Sequence, residues 1–186
     1  MSPILGIIAS SKLVASGSFE SIATVNGTGS SDTVTFSSIP GTYKHLQIRA
    51  YCGRVGVASL GSLRFNNDSS AIYTAHRLYA DGFSVAASGL TGRTNTTYSI
   101  FAGGSAVPNA LSGSIIDIID YASTTKNKTV RSFSGLDTNN GLESGSLYLS
   151  SALYESTNAI TSIQITSQSS ISWSSTSVFS LYGIKG

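Results

Sequence analysis

The chain has 186 residues, of which only 11% are charged, and its formal net charge is +2. That length suits one domain with a true core. Its cations (Lys44, Arg49, Arg54, Arg64, Arg77, Arg93, Lys126, Lys128 and Arg131 among them) are scattered without the run or stripe of a phosphate-backbone binder, so nucleic acid is not expected as a partner.

Serine and threonine, 37 and 18 residues, supply the polarity that charge does not. A chain rich in hydroxyls and aromatics, with few helix-favouring charge pairs, is expected to be all-β. Residues 1–18 carry Ile4, Leu5, Ile7, Ile8, Leu13 and Val14 among small residues. No basic residue precedes the apolar run, which is too short for a signal core and for a bilayer span, so neither secretion by the general pathway nor a membrane partner is expected. The N-x-[S/T] sites at Asn26, Asn67, Asn95 and Asn127 are then simpler as loop residues than as glycan acceptors. The segment reads either as a strap on the domain's own surface or as an arm docked on a neighbouring subunit through those six apolar residues. The division expected is an arm over 1–18 and a β domain over 19–186.

Phe19 to Val25 and Thr33 to Phe36 read as strands across the turn-rich loop NGTGSSD. Lys44 to Cys52 has the clearest period of two, with Leu46, Ile48, Ala50 and Cys52 inward and His45, Gln47, Arg49 and Tyr51 outward. Cys52 is the sole cysteine, so no internal disulfide is available and a buried thiol is expected. Leu63 to Phe65 and Ile72 to Tyr79 follow as strands; residues 81–97 read as a long loop or ragged edge. Tyr98 to Ala102 is again a strand.

Gly113 to Tyr121 is dense in isoleucine, and across the loop Ala122 to Lys128 it pairs with Val130 to Gly135 as an antiparallel hairpin. Ile116 and Ile118 lie on one face, Ile115 and Ile119 on the other, which predicts a central strand partly buried on both sides. Leu147 to Leu153, the pair Ile163 and Ile165, and Val178 to Ile184 complete the series, the last with Phe179 and Leu181 on one structural face. About ten short strands without intervening helix predict an antiparallel two-sheet sandwich of jelly-roll type, with barrel closure as the alternative.

The chemistry-bearing residues form no recognisable site. His45 and His76 are far apart in sequence, no acidic calcium loop occurs, and no P-loop, GxSxG or GxGxxG is present, so no metal, cofactor or catalytic residue is assigned. Asp117 as one member of a glycosidase pair lacks a partner. Two clusters remain: Tyr73, His76, Arg77 and Tyr79 on one strand, and Asp120, Tyr121, Lys126 and Lys128 at the hairpin tip. Aromatic and basic groups together suit a subunit interface or a sugar face, the interface being preferred.

The segments SPILGIIASS, FSSIPGTYKHLQIR, LRFNND with Tyr73 and HRLYADG beyond it, IIDIIDYASTTKNKTVRSFSG, STNAITSIQI and FSLYGIKG, in this order over nearly the whole chain, resemble a family of small virion-associated proteins of tailed bacteriophages and prophages. The resemblance implies a non-enzymatic β-sandwich built into the virion, as a head decoration or cement protein or a tail-attached, tail-fibre-like component. Its alternative is a receptor-binding fibre tip or carbohydrate-binding module for host surface glycans. With a surface poor in charge and rich in Tyr, self-association is expected, as a homotrimer, alongside contacts with other virion proteins.

Overall fold

A computed structural model describes residues 17–53, 59–102, 111–137 and 145–186. The expected arm residues Ile4, Leu5, Ile7, Ile8, Leu13 and Val14 lie outside the described residues. Twelve strands are described: β1 (Phe19–Asn26), β2 (Thr33–Phe36), β3 (His45–Cys52), β4 (Ser59–Phe65), β5 (Tyr73–Ala80), β6 (Val85–Arg93), β7 (Ile100–Ala102), β8 (Ser112–Ile119), β9 (Lys128–Leu136), β10 (Ser146–Tyr154), β11 (Ile163–Ser167) and β12 (Val178–Ile184). One short 3₁₀ turn, Gln168–Ser170, follows β11.

The strands form an eight-stranded sheet in the order β1-β12-β3-β8-β9-β10-β5-β6 and a four-stranded sheet in the order β2-β11-β4-β7. Every pairing is antiparallel. The chain alternates between the sheets: β1 in the large one, β2 in the small, β3 in the large, β4 in the small. After β5 and β6 widen the large sheet, β7 returns to the small one, β8 to β10 to the large, β11 to the small and β12 to the large.

One core lies between the sheets. The large sheet contributes Leu46, Ile48, Ile116, Ile118, Val130 and Leu181, and the small sheet Val34, Phe36, Leu63, Phe65, Ile163 and Ile165, all buried. Each such side chain taken from water contributes about 1.5–3 kcal/mol before ordering costs. Trp173, in the connection to β12, is fully buried and meets Phe179 edge to face at 5.1 Å. A Cβ on Gly61 of β4 would stand 3.0 Å from the Trp173 ring, so this glycine makes the space the indole fills.

Tyr73 and Tyr154, cross-strand partners in β5 and β10, stack at 4.8 Å. Their hydroxyls close the turn after β4: Tyr73 accepts from the Phe65 N–H at 3.2 Å, and Tyr154 donates to the Asp68 carboxylate at 2.9 Å.

The period-two expectation for β3 holds: Leu46, Ile48, Ala50 and Cys52 are buried. β8 and β9 do pair as a hairpin and occupy the two middle positions of the large sheet. The expected partial burial on the second face holds at Ile119, which is half-buried, and not at Ile115, which is 45% exposed: the small sheet covers only one side of β8. Residues 85–93, expected as loop or ragged edge, form the edge strand β6, held by pairing with β5 despite small side chains.

Candidate functional site

Alternation in β5 decides how the first predicted cluster is divided. Tyr73, Ala75, Arg77 and Tyr79 point to the side of the core, and His76 and Leu78 to the opposite face. Tyr73 is fully buried and cannot contact a partner or a glycan in the folded chain, which corrects that expectation. His76, Arg77 and Tyr79 are not one surface: His76 is exposed on the outer face, while Arg77 and Tyr79 sit where the small sheet no longer covers the large one.

There Arg77 builds an aromatic cluster. Its guanidinium lies 4.1 Å from the Tyr98 ring centre and 4.4 Å from that of Tyr79, and its Nε donates to Ser88 Oγ at 2.9 Å. Tyr79 in turn stacks on its cross-strand partner Tyr148 at 5.6 Å, with 13° between the planes. Burial pushes the Tyr148 phenol up from its ordinary pKa. These contacts rigidify the sheet where the second layer ends.

The hairpin tip is likewise divided. Tyr121 is fully buried, its hydroxyl donating to the Pro40 carbonyl and accepting from the Tyr43 N–H at 3.4 Å, so it is a brace and not a contact residue. Lys126 is exposed and donates to Asp120 Oδ2 at 2.7 Å, while Lys44 stands 3.2 Å from Oδ1. The hydrogen bond from Lys126, then that from Lys44, lowers the Asp120 carboxyl to a pKa of about 2. The Asp120 N–H donates to His45 Nδ1 at 3.0 Å, and Asp120 itself has φ 50°, a conformation that Asx residues tolerate.

Lys128, the other basic residue of the tip, is fully buried. Its ammonium donates to the carbonyls of Ser123 (2.8 Å), Lys126 (2.6 Å) and Ser156 (3.2 Å), matching three donors with three acceptors. Burial lowers its pKa, and the charge of Asp120 acts against that. The tip's cations are thus committed to shape, Lys44 and Lys126 on the Asp120 carboxylate and Lys128 on backbone carbonyls.

The large sheet's outer face is different in kind. Across the strands, one register row reads Arg49, Ile115, Phe133, Leu149, Leu78 and Ala87, from β3 to β6. Ile115, Phe133, Leu149 and Leu78 are 45%, 51%, 55% and 49% exposed. The next row reads Tyr51, Gly113, Gly135, Leu147, Ala80 and Val85, again with large apolar groups open to solvent. On the other side runs a polar row, Gln47, Asp117, Arg131, Ser151 and His76. Gln47 Nε2 donates to Asp117 Oδ1 at 2.8 Å, and Arg49 Nε to Gln47 Oε1 at 3.0 Å. Sequence reasoning expected Ile115 and Ile119 to be partly buried on this side and named none of Phe133, Leu147 and Leu149 as contact residues. Alternation gives no signal for the open face, because it would put Phe133 inside and Ser132 and Ser134 outside, the reverse of what the fold does.

Among the described residues no group of three or more His, Cys, Asp or Glu side chains converges to hold a metal ion. No family model and no curated protein matches the chain. Solved structures similar to it include a protein of unknown function from Shewanella oneidensis MR-1, 9% identical, with 90% of this chain and 76% of that one covered and a TM-score of 0.19. A putative pore-forming toxin from Bacteroides vulgatus is 7% identical, with 81% and 54% covered and a TM-score of 0.10. Neither likeness is close enough to carry an argument about fold or function.

Proposed function

We propose that the chain is a non-enzymatic structural protein of a tailed-phage virion, exposed on the head as a decoration or cement protein or attached to the tail, and held by the outer face of its large sheet. The observation that carries this reading is the double row of exposed apolar side chains across six neighbouring strands. A contiguous apolar surface of that extent on a domain otherwise covered in hydroxyls marks an interaction site. The strand order supports a jelly-roll reading: β1-β12-β3-β8 faces β2-β11-β4-β7, and two inserted strand pairs widen the larger sheet. Virus capsids and lectins use that architecture, an analogy of fold and not of site.

The glycan-binding alternative draws on the Arg77 cluster, where aromatic rings meet a cation. It is the weaker reading, because the guanidinium already lies over the Tyr79 and Tyr98 rings that a sugar would use. The test is to grow the virus with Phe133→Lys or Leu149→Lys in place of the native chain, after circular dichroism has verified the fold of each variant. Mass spectrometry of purified particles should find the native chain in stoichiometric amount and the variants absent. Full incorporation of the variants overturns the reading.

A further inference from the structure

Gly113 of β8 and Gly135 of β9 oppose one another in register, in the two middle strands of the large sheet. Neither has the positive φ that would demand glycine. Nor does packing demand it: a Cβ on Gly113 would meet nothing within 4 Å, and one on Gly135 only Leu147 Cδ1 at 3.4 Å and the Ser146 carbonyl at 3.5 Å. Glycine inside a strand weakens it and marks a place where another backbone comes close. The pair forms a recess on the outer face, bounded across the sheet by Tyr51 and Leu147 and along the strands by Ile115 and Phe133.

We infer that the outer face of the large sheet pairs with the same face of a second copy of this chain, about a two-fold axis running parallel to β8 and β9 between the stacked faces. This rests on reading the face as an assembly surface and names its occupant. A two-fold contact uses one patch twice, so the patch must complement itself. Such an axis, midway between β8 and β9, brings together residues that are neighbours in register within each chain. It sets each Asp117 over the partner's Arg131, each Ile115 over the partner's Phe133 and each Tyr51 over the partner's Leu147. The glycine pairs then meet each other, where the two backbones approach.

Charge agrees with this arrangement. Arg131 is exposed and has no ion-pair or hydrogen-bond partner among the described residues, although Asp117 faces it across the hairpin. A partner's carboxylate supplies what its own chain does not. Size agrees as well. The axis lays β3, β8, β9 and β10 on the partner's β10, β9, β8 and β3, and β5 on its β12; these six strands, about 4.8 Å apart, and three rows about 7 Å apart give a flat footprint of roughly 600 Å². The accessible area of so corrugated a surface approaches the ~800 Å² per partner of a stable interface.

The experiment is sedimentation equilibrium of the full chain from low micromolar to about 100 μM, with Asp117→Arg, Arg131→Asp and the double exchange, each verified as folded. The native chain should dimerise. Each single exchange sets like charges against each other and should weaken association about tenfold or more, and the double exchange should restore it. A native chain that stays monomeric overturns the inference, as does a dimer indifferent to the single exchanges.

Hydroxyl-radical footprinting of Phe133 identifies any other occupant. Protection that grows with concentration supports the second copy; protection independent of concentration means that the chain's own N-terminal segment covers the face, and overturns it. A monomer with Phe133 exposed, whose Phe133→Lys variant is nevertheless lost from particles, overturns the two-fold pairing while leaving the assembly role standing, with a different protein as partner.

Discussion

The ammonium of Lys128 reaches the carbonyl of Ser156 at 3.2 Å, so one buried cation at the start of β9 ties the β8–β9 loop to the segment after β10. An ammonium whose three donors meet three backbone carbonyls is held by geometry.

Lys128→Met keeps the length of the side chain and removes all three donors. It should lower stability by about 2–3 kcal/mol, because the carbonyls lose charge-assisted hydrogen bonds. Urea unfolding measures this, and an unchanged midpoint would refute the cage.

Asp120 gives the tip a pH dependence. Its carboxyl titrates at about 2 in the folded chain, below the roughly 3.9 of an unfolded aspartate. Between these values the unfolded state binds more protons, so the stabilisation is complete above the higher one and is lost as pH falls through the lower. Melting temperature should therefore fall less from pH 4 to pH 2 in Asp120→Asn than in the native chain. Parallel curves would show that Lys126 and Lys44 are not coupled to Asp120.

Glycines of this sheet are expected to differ sharply in tolerance. A Cβ on Gly183 of β12 would run into the ring of Tyr43, which covers that position. Gly183→Ala should cost about 1–3 kcal/mol through overpacking, whereas Gly113→Ala should leave the folded chain's melting temperature within a few degrees or raise it. Equal losses at both positions would contradict the difference in surroundings.

Ser114, Ser132 and Ser134 form a buried hydroxyl patch on the core side of β8 and β9, none with a side-chain hydrogen-bond partner among the described residues. Burying an unpaired hydroxyl costs roughly 1–3 kcal/mol. Ser134→Ala should consequently raise the melting temperature, and a clear fall would mean that the hydroxyl has a stabilising partner.

Much of the strand content was legible because half-buried antiparallel strands write their alternation into the sequence, as Leu46 to Cys52 did. Which strands would be covered on one face was not. Ile115 and Ile116 have the same side chain and point to opposite faces, and only the side on which the small sheet packs distinguishes the exposed isoleucine from the buried one. β6 was missed because its alanines, its serine and its glycines have weak strand preference; pairing with β5 imposes the state. Trp173 has no periodic context, and its role depends on Gly61, more than a hundred positions earlier. For the site the loss was greater. Tyr73 with Arg77, and Tyr121 with Lys126, are close in sequence, yet the fold buries the first of each pair and leaves the second at least partly accessible.

The pairing of β1 with β12 has a consequence for how the protein is made. Among the described residues β1 and β2 are edge strands whose one sheet neighbour each, β12 and β11, is made after the ten other strands. A nascent chain thus emerges with its first two strands unmatched, while the neighbouring pairs β5–β6, β8–β9 and β9–β10 can form by local closure. Completion must wait for residues 163–184 to clear the ribosome. Folding should be slow for its size, and a chain stalled before β11 should present open strand edges to chaperones or to its neighbours on the same message.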